Sequence, residues 1–338
     1  MSARHLRSLG LAAAVAALVA PAAARAADEV KFSMDWVLNG TQAGYFAALA
    51  EGYYKDAGLD VTISRGFGSG DTVKRVASGA ATFGVADTGT TIAAIANDSV
   101  PVVGIAMIYQ KATLGVIFLK SSGITKPQDL VGRTVGRSAS GASVIMYPGF
   151  LKANGIARDK IKEVVADGAT FLPLLLSKKV DAVLDQSVQL GHYRKGAEAQ
   201  GQTAEAMRYS DFGLAAYGNM IIANPATLRD KRDMVKRFVA ATLKGLAFAL
   251  AHPDQAIADI RKTNPEVDAE GAKGELLDMR EVVLTPEVAK DGLGIMDAKR
   301  MTETRDVVTS ALSLKHKVPV EEIYTTAFLP KPPVMPEK

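Results

Sequence analysis

The chain has 338 residues, nearly half of them apolar, under a quarter charged, and none of them cysteine. That is material for about two globular domains with a real core, and it excludes disulfides, thiolate zinc sites, iron–sulfur clusters and cysteine nucleophiles. The formal charge of +4 includes Arg4, Arg7 and Arg25, so a chain without its first 26 residues, which hold no acid, carries +1. A near-neutral chain gives no electrostatic case for nucleic acid or an acidic membrane surface.

Residues 1–26 read as a secretory signal peptide. Arg4, His5 and Arg7 form a basic start, 9–19 is apolar, and Ala24-Arg25-Ala26 supplies a small-x-small cleavage pattern. Without cysteine there is no lipobox, and the apolar run is short for a spanning anchor. The mature protein is expected in the periplasm.

The mature chain opens with a short strand at 30–34. Asp35 and the chain's single tryptophan, Trp36, follow, then Asn39-Gly40 and a helix from Thr41. A strand running straight into a helix puts its loop at the carboxyl end of a sheet, where open α/β sheets bind ligands. Strands then read at 59–64, 81–87 and 100–108, with helices at 71–78 and 88–97 between them. This alternation implies a parallel sheet with helices on both faces. A second α/β unit follows, with strands at 111–120, 134–137, 161–166 and 180–184 and helices after 138–143, at 170–177 and at 188–199. Strands at 207–209 and 217–223 precede a largely helical last third, and the proline-rich end reads as flexible. Two α/β units with a helical return favour two lobes and a cleft, with crossings near 109–112 and 213–219.

Five stretches, taken in order, resemble one family. They are DW..NG…GYF.A…GYYKDAGLDV at 35–61, ATFGVADTGTTIAAIANDSVPVVGIA at 81–106, GITKPQDLVGRTVGRSASGAS at 123–143, LLLSKKVDAVL at 174–184 and VKRFVAATLKGLAFALAHPDQAI at 235–257. The chain is similar to the periplasmic substrate-binding proteins of ABC importers in the nitrate/sulfonate/taurine and thiamine-pyrimidine-precursor group. The resemblance implies a type II periplasmic-binding fold, two α/β lobes joined by two hinge crossings, that closes on a small ligand and delivers it to an inner-membrane ABC permease with its ATPase. It implies a discontinuous lobe 1 (27–110 and 217–329), a lobe 2 (111–216) and a tail (330–338), working as a monomer without cofactor or metal. It places ligand contacts at Trp36, Asn39, Gly68, Ser69, Gly70, Asp87, Thr88, Tyr109, Ser138, Ser140, Gly141, Ala142, Ser143, Asp185, Tyr217 and Asn219. Leu38 stands where pyrimidine-precursor binders carry proline, and Gln42 or Ala43 lies near an expected histidine. The cysteine-rich motif of the similar fungal pyrimidine synthases has no counterpart.

Each of these residues also has a structural role open to it. The helix start at 138–143 suits an anion or carbonyl oxygen through free backbone N–H groups, or is simple capping. The glycine loop at 66–70 lacks the Lys-Ser/Thr of a phosphate loop, so a tight turn is expected. Asp87 and Thr88 cap a helix or contact ligand. Tyr109 and Tyr217 stack on a ring or pack the hinge. His192, His252 and His316 make no metal spacing, and no nucleophile motif is present. Three functions compete: a binding protein, a ligand-sensing module and an enzyme of the same fold. The expectation is a binding protein without catalysis. For the ligand, a heteroaromatic would use Trp36 with Asn39, Asp185 and Asn219, whereas a sulfonate, taurine, nitrate or other small anion would use 138–143 with Arg137 beside it.

Overall fold

The structure, a computed structural model, describes residues 26–337. The signal peptide expected over 1–26 lies outside them, Ala26 apart. Ten strands are present among the described residues: β1 (Asp28–Ser33), β2 (Leu59–Ser64), β3 (Phe83–Asp87), β4 (Val103–Met107), β5 (Leu114–Leu119), β6 (Thr134–Arg137), β7 (Lys162–Val165), β8 (Ala182–Gln186), β9 (Ala204–Arg208) and β10 (Asn219–Ala223). They form two five-stranded sheets, β2-β1-β3-β10-β4 and β7-β6-β8-β5-β9.

Neither sheet is purely parallel, which corrects the expectation from the βαβ alternation. β10 lies antiparallel between β3 and β4, and β5 lies antiparallel between β8 and β9. The reason is directional. The chain leaves the first sheet at the carboxyl end of β4 and enters the second at the edge where the parallel strands of that sheet finish, so β5 must run against them. β10 repeats this on return. The carboxyl ends of both sets of parallel strands therefore face each other across the two crossings, which run from Met107 to Leu114 and from Arg208 to Asn219.

Burial follows the sequence pattern. The helix Arg232–Ala251 buries Val235, Phe238, Val239, Thr242, Leu243, Leu246, Ala249 and Leu250, the spacing of one wide apolar face. Phe238 stacks on Phe83 at 4.0 Å and meets Phe32 edge-on at 5.0 Å, fastening the helix to the first sheet. The helix Ala298–Leu312 packs against Thr88–Asp98 of the first unit and also against Ala142–Ala153 of the second. Residues 330–337, expected to be flexible, return to the first unit. Leu293 N–H donates to Val334 O at 2.8 Å, and Val334 packs on the core.

Candidate functional site

The facing strand ends gather polar side chains that are almost fully buried. Asp35 follows β1, and its Oδ2 accepts from Asn219 Nδ2 at 2.7 Å and from Gln186 Nε2 at 3.3 Å. Asn219 opens β10 beside Asp87, and Gln186 ends β8, so the bond from Gln186 joins the two sheets. Thr113, at the first crossing, donates to Gln186 Oε1 at 2.7 Å. Asp185 lies next to Gln186, and its carboxylate accepts from Tyr193 Oη at 2.7 Å and from Gln186 N–H at 2.8 Å. Asn39 caps the turn Gly40–Gln42 and donates across the cleft to Gln189 Oε1 at 3.1 Å.

Burial dominates the electrostatics. It pushes the Asp35 carboxyl up to about 6 against the hydrogen bonds from Gln186 and Asn219. It pushes Asp87 up to about 6, and the charge of Asp35 adds to this. Asp185 rises to about 7 for the same two reasons, despite the Tyr193 bond. Glu275, on the helix Ala269–Val283, rises to about 8 through burial, with Asp185 pushing the same way. Every hydrogen bond to these four carboxyls comes from a neutral group, and none of the four forms an ion pair among the described residues.

Two hollows open between the units. One of about 560 Å³ is bounded by Leu38 and Asn39, by Gln189, His192 and Tyr193, and by the stretch from Asn264 to Glu275. The other, about 350 Å³, is bounded by Trp36, Phe67, Ser138, Ser140 and Val165. Arg65 and Gly168 border both, and Arg65 pairs with Asp167 across the mouth at 3.3 Å. The larger hollow has the size of an ordinary small-molecule site.

The expected site residues separate into three groups. Asn39 borders the larger hollow, while Trp36, Ser138 and Ser140 border the smaller. Asp185 and Asn219 lie in the buried network beneath. The rest hold the scaffold. Gly68 N–H donates to Asp35 O and Gly70 N–H to Ser140 O, locking the glycine loop as a tight turn. Ser69 Oγ accepts from Asp87 N–H, and Asp87 Oδ1 caps the next helix through Thr90 N–H. Thr88 donates to Gly218 O at the second crossing. Gly141 N–H donates to Ser138 Oγ, Ala142 is buried in the first turn of its helix, and Ser143 donates to Asp185 O. Tyr109 is buried in the first core. Asp87 and Tyr217 border a void of about 10 Å³, room for roughly one water.

One aromatic alternative resolves, and one aromatic expectation needs correcting. Tyr217 does not offer its face to the cleft. The Arg300 guanidinium covers it at 4.6 Å, and its hydroxyl accepts from Asp297 N–H, so it packs the hinge. Trp36 is not an open wall. It crosses from the first unit into an apolar cluster of the second with Ile117, Leu119, Phe171 and Val183, and is 6% exposed. Its Nε1–H is buried without a partner. The anion expectation also loses its cation, because Arg137 is held by Glu163, which Arg158 shares.

Sequence reasoning did not select Asp35, Gln186, Gln189, Tyr193 or Glu275. Asp35 was legible beside Trp36 at a strand end. Gln186 ends β8 and Gln189 follows it, close to the position where Asp185 was read. Glu275 gave no signal, since its partner Gly40 is 235 residues away.

Two α/β units of this strand order, joined by two crossings and meeting in a lined cleft, define a protein of the periplasmic-binding fold. The sequence family described as NMT1/THI5 like matches residues 39–256, and the chain belongs to it. A riboflavin-binding protein of Chloroflexus aurantiacus is 28% identical over 94% of this chain and 91% of its own. A formylaminopyrimidine-binding protein of Halalkalibacterium halodurans is 26% identical over 69% of each chain. A 4-amino-5-hydroxymethyl-2-methylpyrimidine phosphate synthase of Saccharomyces cerevisiae is 25% identical over 71% of this chain and 73% of its own. Among solved structures, the periplasmic aliphatic sulphonate-binding protein of Escherichia coli superposes with a TM-score of 0.63 at 15% identity, covering 89% of this chain and 99% of that one, a likeness of fold. Among the described residues, no helix is long and apolar enough to cross a membrane, and no group of three or more His, Asp or Glu is placed to hold a metal ion.

Proposed function

We propose that this protein is the solute-binding component of an ABC importer, capturing a small heteroaromatic, pyrimidine-like ligand between its lobes. It works in the periplasm after loss of its leader and hands the ligand to an inner-membrane permease with its ATPase. Lobe 1 comprises 27–110 and 217–329 and lobe 2 comprises 111–216, and the closed cleft between them is the capture state.

The observation that carries this reading is the charge character of the cleft. Glu275 borders the larger hollow together with Glu266 and Asp268, and the arginine on its rim, Arg65, is already paired with Asp167. A sulfonate entering this space meets these acids and a cation that is already paired, a poor electrostatic match. A flat heterocycle with N–H donors finds acceptors there. The riboflavin- and formylaminopyrimidine-binding relatives are named for heteroaromatic ligands. A synthase reading has a relative by name and His192 and Glu275 as candidate bases at the hollow, but the cysteine-rich motif of the similar fungal synthases has no counterpart in this chain.

The test is isothermal titration of the mature chain, stripped of carried-over ligand by unfolding and refolding. The panel is 4-amino-2-methylpyrimidine, riboflavin, taurine, an alkanesulfonate and nitrate. Saturable binding of a heteroaromatic, recovered unchanged after incubation, supports a binder. Binding of an anion alone overturns the ligand class, and conversion of the ligand overturns the absence of catalysis.

A further inference from the structure

Phe67 and Val165 are among the most exposed large apolar side chains of the described residues, at 51% and 58%, and they border the same hollow. Phe67 comes from the first unit, and Val165 ends β7 in the second. Apolar surface left open in a cleft marks a binding face. Phe67 is not exposed for want of anchoring. Gly66 N–H donates to Trp36 O, Gly68 N–H donates to Asp35 O, and Ser140 Oγ of the second unit donates to Phe67 O at 2.9 Å. The backbone is pinned while the ring stays half open, with the Arg65 guanidinium over it at 4.6 Å.

The two hollows differ in character and share a border. The larger carries Asn39, Gln189, His192, Asn264 and Glu275, groups that hydrogen-bond the edge of a heterocycle. The smaller is walled by Trp36, Phe67, Val165 and Ala166. Its two serine hydroxyls are already engaged, Ser138 Oγ by Gly141 N–H and Ser140 Oγ by Phe67 O. Val37, Arg65 and Gly168 line both hollows. A single pyrimidine ring occupies a small part of the larger, about 560 Å³, and leaves the apolar one, about 350 Å³, unfilled.

We propose that the ligand is an extended, fused heteroaromatic lying across both hollows, its hydrogen-bonding edge among the polar side chains of the larger and its apolar end between Phe67, Val165 and Trp36 in the smaller. This rests on the heteroaromatic reading above and narrows it from a monocycle to a fused ring system. Phe67 and Val165 are then specificity-determining residues that read ring size and not the polar edge.

The experiment titrates the mature, ligand-stripped chain with two matched pairs: 4-amino-2-methylpyrimidine and 4-amino-2-methylquinazoline, and uracil and quinazoline-2,4-dione. Each pair keeps one hydrogen-bonding edge and differs by one fused benzene ring. For the edge the protein reads, the fused compound is expected to bind at least tenfold tighter. Phe67→Ala and Val165→Thr should each remove most of that gain while leaving the monocycle's affinity within twofold, and thermal melts of both variants report folding. A monocycle that binds as tightly as its fused partner, or a gain that both variants keep, overturns the extended ligand and leaves the heteroaromatic reading intact. A wild type that binds none of the four compounds overturns both.

Discussion

The indole of Trp36 and the backbone of Gly168 meet so closely that a Cβ on Gly168 would lie 2.4 Å from Trp36 Cζ2. Trp36 belongs to the first unit and Gly168 to the second, so this contact exists only when the units are closed. Gly168→Ala is expected to hold the closed state apart, because neither the indole nor the turn at Asp167 has room to yield. Ligand affinity should fall at least tenfold, and the emission of the single tryptophan should move to longer wavelength. Fluorescence titration of G168A against wild type checks both.

The hinge carries its own clamp. Arg300 donates to Gln110 O in the first crossing and covers Tyr217 in the second, while Thr304 Oγ1 accepts Tyr217 N–H. One helix thus holds both crossings. Arg300→Ala removes the link and should raise the ligand off-rate several-fold, with little change in on-rate, since contact losses in a formed complex are read mainly in dissociation. Stopped-flow displacement followed by Trp36 emission measures it.

The raised carboxyls make the fold lose stability as pH rises toward neutrality. Asp185 holds its proton to about pH 7 when folded, against an ordinary value of 3.8. Between those values the folded chain binds the extra proton, so its contribution to stability falls as pH rises from about 4 to 7 and is level above. Each pH unit so crossed is worth about 1.4 kcal/mol at full effect. Asp185→Asn removes the titration while keeping a partner for Tyr193. The mutant should gain on the wild type in urea midpoint between pH 5 and 7. A difference that does not change with pH contradicts this assignment.

Phe238 tests the core that carries lobe 1. It is fully buried among Phe32, Phe83 and Tyr54. Phe238→Ala should cost about 3–5 kcal/mol of unfolding free energy, the range for a large buried aromatic. Urea denaturation at constant slope checks it.

Much of this molecule was legible in its sequence, for local reasons. The helix Arg232–Ala251 announced itself by apolar spacing, and the buried strands by unbroken apolar runs. The binding loops fell where strands run into helices. The antiparallel places of β5 and β10 were not legible, because strand direction is set by the route of the crossings and not by residue type. The role of Trp36 was misjudged, and that of Tyr217 left open between stacking and hinge packing, for a similar reason. Whether an aromatic faces a ligand or a neighbour depends on Phe171 and Arg300, which lie far along the chain. Glu275 belongs to the same class, a site residue made only by tertiary contact.

The most direct test of the account is the melting temperature of the ligand-stripped mature chain across a panel of heteroaromatics and anions, with Trp36 emission read in parallel. A ligand that binds only the folded state stabilises it by about 4 kcal/mol at a thousand times its Kd. The account predicts that a heteroaromatic raises the melting temperature and changes Trp36 emission, while taurine, alkanesulfonates and nitrate leave both unchanged. Stabilisation by an anion, with no response to any heteroaromatic, would contradict it.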